Sequence, residues 1–111
     1  MFSVESQGAV DVVCGSGPLN HENAHQLAET LEGELPGGQP MIVLDMREIP
    51  LLDGAALEAL VDVQQTVELQ GGSIKLASVS QLCQDILRIT GLAQSFESYP
   101  DVKSAVGSFV K

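Results

Sequence analysis

Residues 44–57 read LDMREIPLLDGAAL, a stretch that joins a predicted strand to a predicted helix. The strand lies at residues 41–45, and a strand that is apolar without alternation is typical of the middle of a sheet covered by helices. Asp53 is a favourable N-cap for the helix, which opens with three small residues at positions 54–56. Because a helix start carries free backbone N–H groups, small side chains there leave a flat, partly positive docking spot. From the residues alone, an ordinary, tightly packed helix start is the alternative.

Strand and helix patterns alternate along the rest of the chain. Residues 2–14 favour a β-hairpin that turns at Gln7-Gly8, and further strands are predicted at 73–78 and 95–98. Helices are expected after Asn20, Asp53 and Ser80 as N-caps and near Pro100. We therefore expect a single α/β domain over residues 1–111, with a mixed, mostly parallel sheet, an opening hairpin and about four helices. The predicted inward faces are Ala24, Leu27, Ala28, Leu31 and Leu35; Leu57, Leu60, Val61, Gln64 and Val67; Cys83, Ile86, Leu87 and Thr90; and Val102, Ala105, Val106, Phe109 and Val110.

Charge and composition exclude several classes of function. The 111 residues include 15 acids and 5 Lys or Arg, a formal charge of −10, so direct binding of nucleic acid or anionic membranes is not expected. Residues 1–46 hold seven of the acids and no Lys or Arg. No apolar run approaches the roughly 18 residues of a membrane helix. Without a signal peptide pattern a cytoplasmic protein is expected, with Cys14 and Cys83 as buried, reduced thiols.

Residues 21–25, HENAH, match the zinc-protease pattern H-E-x-x-H. That chemistry needs a third ligand and a long scaffold helix, but His21 and His25 are the only histidines and lie at the start of a helix. We interpret them as solvated helix residues and predict no metal and no cofactor. No Ser/His or Cys/His arrangement or phosphate-binding glycine loop is present either, so no catalytic residue is predicted.

Several segments together resemble the STAS domain, the fold of bacterial anti-sigma factor antagonists. The family signature is a strand followed by Φ-x-D-S-[ST]-G-L, which opens a helix. The resemblance covers nearly the whole chain and implies a STAS-like fold. Its matching segments are residues 42–45 and 52–57 for the strand and signature, 17–20 before the first helix, 69–76 between helix and strand, and 86–92 with Phe96 near the end.

The signature also departs from the family at its functional position. In the family, the hydroxyl residue two places after the Asp accepts phosphate from a partner kinase, and Ala55 stands there in this chain. The resemblance therefore implies a protein-binding module, not an enzyme, that cannot be phosphorylated at the usual site. The expected partner-binding residues are Gly17, Pro18, Leu19, Asn20, Asp53, Gly54, Ala55 and Ala56.

Two classes of partner remain open. One is an anti-sigma kinase or another regulator, and the other is an ATPase or signalling protein of a transport or chemosensory assembly, such as an ABC lipid transporter. Neighbouring genes for an anti-sigma kinase, or for an ABC ATPase and permease, would separate the two.

Overall fold

A five-stranded mixed sheet organises the computed structural model, which describes residues 2–34 and 38–109. The spatial order of the strands follows the chain, and only the first pair is antiparallel. The mixed, mostly parallel sheet with its opening hairpin is confirmed. The strands are β1 (Phe2–Gln7), β2 (Val10–Ser16), β3 (Met41–Glu48), β4 (Ser73–Ala77) and β5 (Glu97–Tyr99).

Four helices in the described part of the chain cover both faces of this sheet. The side chains of the first three pack with one sheet face into the larger core, and the fourth packs on the opposite face. β3 contributes side chains to the cores on both faces of the sheet, because Ile42 and Leu44 belong to the larger core while Val43 belongs to the smaller one. Residues 41–44 are apolar without alternation for this reason. The helices are α1 (Ala24–Glu32), α2 (Gly54–Leu69), α3 (Gln81–Ile89) and α4 (Val102–Phe109).

Two of the predicted helix caps are confirmed and one is wrong. Asp53 and Ser80 accept hydrogen bonds from backbone N–H groups in the first turns of α2 and α3. Asn20 does not cap α1, since its side-chain oxygen accepts from the backbone N–H of Glu22 at 2.9 Å. It thus stabilises a turn over residues 21–23, and α1 begins three residues later than a cap at Asn20 would place it.

Some element boundaries also differ from the prediction. The hairpin turns at Gly8-Ala9 rather than Gln7-Gly8, because Gln7 pairs with Val10. β4 stops at Ala77, since Ser78 has a φ of 56° and leaves the extended conformation. The predictions for Leu35 and Val110 fall outside the described residues, and the prediction for Thr90 is wrong, because it is exposed at the C-terminal end of α3.

The two cysteines differ in burial. Cys83 is fully buried, as predicted, whereas Cys14 is only half-buried and packs against the smaller core. The Cys14 thiol lies 3.7 Å from Asp45 Oδ2. Burial, and then the nearby carboxylate, raise the pKa of Cys14, so its thiol is held protonated.

Candidate functional site: the start of helix α2

Asp53 connects the start of α2 to the loop that precedes α1. Its Oδ1 accepts the backbone N–H of Ala56 at 3.0 Å, and its Oδ2 accepts the backbone N–H of His21 at 3.0 Å. These N–H groups, Ala56 first, lower the pKa of Asp53, although partial desolvation opposes them. The ionised carboxylate therefore fixes two segments that are 32 residues apart in sequence.

Backbone hydrogen bonds hold the same two segments side by side. The N–H of Leu19 donates to the carbonyl of Leu51 at 2.9 Å, and the N–H of Asp53 donates to the carbonyl of Leu19 at 3.0 Å. Gly17 N–H also donates to the carbonyl of Glu48 at 2.9 Å. Both loops follow parallel strands, β2 and β3, so they emerge at the same edge of the sheet. The structure thus brings together the two groups of residues singled out in the sequence.

The eight predicted partner-binding residues differ in burial, and only some of them can contact a partner. The side chains of Leu19 and Ala56 are fully buried and anchor the two loops to the core. Gly54 and Pro18 are exposed, and the others are half-buried. We use the name α2-start surface for the six that reach solvent: Gly17, Pro18, Asn20, Asp53, Gly54 and Ala55.

Positions 54 and 55 present no hydroxyl group. A Cβ built on Gly54 would meet no atom within 4 Å, so packing does not require glycine there. Ala55 is the second residue of α2 and half-buried. The local backbone thus leaves room for a side chain at position 54, but neither residue offers an oxygen to accept phosphate.

The two histidines of the H-E-x-x-H match point to different partners. His21 lies in the turn before α1, with Nδ1 3.8 Å from Asp53 Oδ2 and its side chain 77% exposed. His25 lies on α1 and pairs with Glu29 at 2.8 Å. Across residues 2–34 and 38–109, no three His, Cys, Asp or Glu side chains are grouped as metal ligands.

Sequence reasoning missed the bond from Asp53 to His21 and a groove between α1 and α2 that Ala55 helps to line. The groove had a signal in the sequence, since Ala24 and Ala28 on α1, and Ala55 and Ala59 on α2, are spaced one turn apart. The contact between His21 and Asp53 had none, because local patterns carry no information on pairs so distant in sequence.

None of the helices in the described part of the chain is both long and apolar enough to span a membrane.

Comparison with known proteins identifies relatives over almost the full length. A curated protein of Bordetella bronchiseptica, "Putative anti-sigma factor antagonist BtrV", is 22% identical over 98 residues, which cover 88% of this chain and 84% of that protein. A crystal structure of a "putative anti-sigma factor antagonist" from Thermotoga maritima superimposes with a TM-score of 0.90 at 21% identity, covering 99% of this chain and 95% of that one.

The same fold occurs in a different setting. A sulfate transporter family protein from Wolinella succinogenes matches with a TM-score of 0.79 at 21% identity, covering 90% of this chain and 84% of that one. At these identities the structural matches establish the fold alone. The family model of the STAS domain matches residues 2–105, and the chain belongs to the STAS domain family.

Proposed function

We propose that this protein is a non-enzymatic binding module that acts like an anti-sigma factor antagonist and docks a regulatory protein through the α2-start surface. Similarity to a protein described as a putative anti-sigma factor antagonist, over 88% of the chain, supports this class over the transport alternative. A cytoplasmic location is part of the same proposal.

One observation carries the choice of surface. The Asp53 carboxylate accepts hydrogen bonds of 3.0 Å from the backbone N–H groups of Ala56, which follows the position matching the family phosphoacceptor, and of His21, which follows the loop at 17–20. These two loops form a continuous patch with small side chains, against which another protein can pack closely. The ionised Asp53 gives this patch a charge at neutral pH.

Ala55 makes the proposed docking independent of phosphorylation at the family's usual position. A phosphate adds a charge of about −1.5 to −2 and three acceptor oxygens, and its bulk would keep a partner from packing on the small side chains of the α2-start surface. Neither Gly54 nor Ala55 has a hydroxyl group to carry it. On this proposal the module binds its partner without a phosphorylation switch at position 55.

Affinity purification from the native cell tests this function. Tagged wild-type protein and the Ala55→Glu variant would be compared, with enriched proteins identified by mass spectrometry. We expect an anti-sigma kinase or a related regulator with the wild type and its depletion with Ala55→Glu. Recovery of an ABC ATPase and permease instead would assign the protein to a transport assembly, and equal recovery by both baits would contradict the proposed surface.

A further inference from the structure

A groove between α1 and α2 adjoins the α2-start surface. Its volume is about 370 Å³, and its floor includes Ala24, Ala28, Ala55 and Ala59. Ala55 therefore belongs both to the groove and to the α2-start surface. Four short side chains at one-turn spacing let a partner segment approach both helix backbones closely.

The rim of this groove is acidic and contains no Lys or Arg, and the histidine that lines it, His25, pairs with Glu29 at 2.8 Å. Glu32, Glu58 and Asp62 line it and are exposed. None of the three takes part in an ion pair among residues 2–34 and 38–109. Neither α1 nor α2 contains a Lys or Arg. The carboxylates therefore create a negative potential along the groove that the described neighbourhood does not neutralise.

We propose that the α1/α2 groove binds a Lys- or Arg-rich segment of a partner protein, with a small or aliphatic side chain on the alanine floor. The inference rests on the proposed function and extends it, because it names the chemistry that the partner must present. Charge complementarity supplies the attraction, and the apolar floor favours a peptide segment over a small polycation. Continuity through Ala55 lets one partner occupy the groove and the α2-start surface together.

Nuclear magnetic resonance titration of the full chain, labelled with ¹⁵N, tests the groove without the native partner. The probe is a synthetic helical peptide of Ala, Leu, Lys and Arg, and the control peptide carries Glu in place of Lys and Arg. We expect shifts centred on Ala28, Ala59 and Asp62 with the basic peptide only. These shifts should weaken as NaCl rises from about 50 to about 300 mM, because salt screens the attraction between the peptide and the carboxylates. The screening length is about 10 Å at roughly 0.1 M.

A pair of charge reversals on α2 provides the matched control. Asp62→Lys alters the rim, whereas Glu68→Lys makes the same kind of change at an exposed residue that does not line the groove. We expect Asp62→Lys to weaken peptide binding about tenfold, a change of about 1.4 kcal/mol, and Glu68→Lys to change it less than about twofold. Melting curves would establish that both variants fold.

Absence of localised shifts, equal loss in both variants, or the same shifts with spermine would overturn the inference. The same shifts with spermine would show that the groove binds positive charge without any contribution from the alanine floor. If the peptide fails to bind while Ala55→Glu still depletes the native partner, the groove is wrong and the proposed function stands. If the peptide binds but Ala55→Glu leaves partner capture unchanged, the groove stands and the proposed function is wrong.

Discussion

At the scale of single residues, Asp53 links two parts of the candidate site, because its carboxylate accepts hydrogen bonds from backbone N–H groups of two separate segments. Its pKa is lowered in the folded state, so its ionised form stabilises the fold above the unfolded pKa of about 3.9. This contribution is lost as pH falls through the lower, folded pKa. We expect Asp53→Asn to be less stable than the wild type at pH 7, with the difference shrinking below about pH 4.

Urea unfolding midpoints between pH 7 and pH 2.5 would measure this effect. Asp53→Ala should lie below Asp53→Asn at pH 7, because asparagine retains the cap and alanine does not. Parallel curves for the wild type and Asp53→Asn over the whole range would show that the carboxylate charge has no such role.

Gln64 is a buried polar residue whose side chain joins α2 to two other segments. Its Oε1 accepts the backbone N–H of Ile74 at 3.0 Å, and its Nε2 donates to the carbonyl of Ser95 at 3.1 Å. Gln64→Leu fills similar space but leaves both backbone groups without these partners. We expect it to destabilise the protein by about 1–3 kcal/mol, measured by urea denaturation. Gln65→Leu, at the exposed neighbouring position, should change stability by less than about 0.5 kcal/mol, and equal effects would contradict this role.

At the scale of elements, two glycines should respond to alanine in opposite directions. Gly107 lies within α4, and a Cβ there would meet no atom within 4 Å, so Gly107→Ala should stabilise the protein by about 0.4–1 kcal/mol. A Cβ on Gly72 would overlap the backbone of Pro40, whose carbonyl accepts the N–H of Ser73 at 3.0 Å. Gly72→Ala should therefore destabilise the start of β4 by about 1–3 kcal/mol. Thermal unfolding of both variants would test the pair, and a shift in the same direction would contradict it.

The elements also show what sequence patterns can and cannot predict. The apolar run at 41–44 and the caps Asp53 and Ser80 were predictable, because burial on both faces and capping are local requirements. The start of α1 was not, since Asn20 uses its side chain on a preceding turn. The candidate site was predictable as two loops, but not the Asp53–His21 bond that joins them, because only the tertiary fold brings these residues within 3.0 Å.

At the scale of the whole molecule, part of the excess negative charge lies in one region of the surface. The loops after β2 and β3 meet at one edge of the sheet, and the groove next to them is lined by three carboxylates of α1 and α2 that form no ion pair with any residue that the structure describes. The formal charge of −10 argues against nucleic acid as a partner. The cluster of negative side chains at this groove favours a partner protein with a basic segment. With alanine at position 55, this acidity is not altered by phosphorylation there.

The affinity of the purified native partner for three forms of the protein tests the central claim most directly. Isothermal titration calorimetry would compare wild type, Ala55→Glu and Ala93→Glu, the last carrying the same substitution at an exposed alanine outside the α2-start surface. A negative side chain in the first turn of α2 interacts favourably with the helix dipole, so Ala55→Glu should remain folded, and a melting curve would verify this. Because a glutamate side chain would fill the space over position 55 on which the partner packs, we predict binding at least about tenfold weaker for Ala55→Glu, about 1.4 kcal/mol, and unchanged within about twofold for Ala93→Glu. Equal affinity of Ala55→Glu and the wild type would contradict docking through the start of α2.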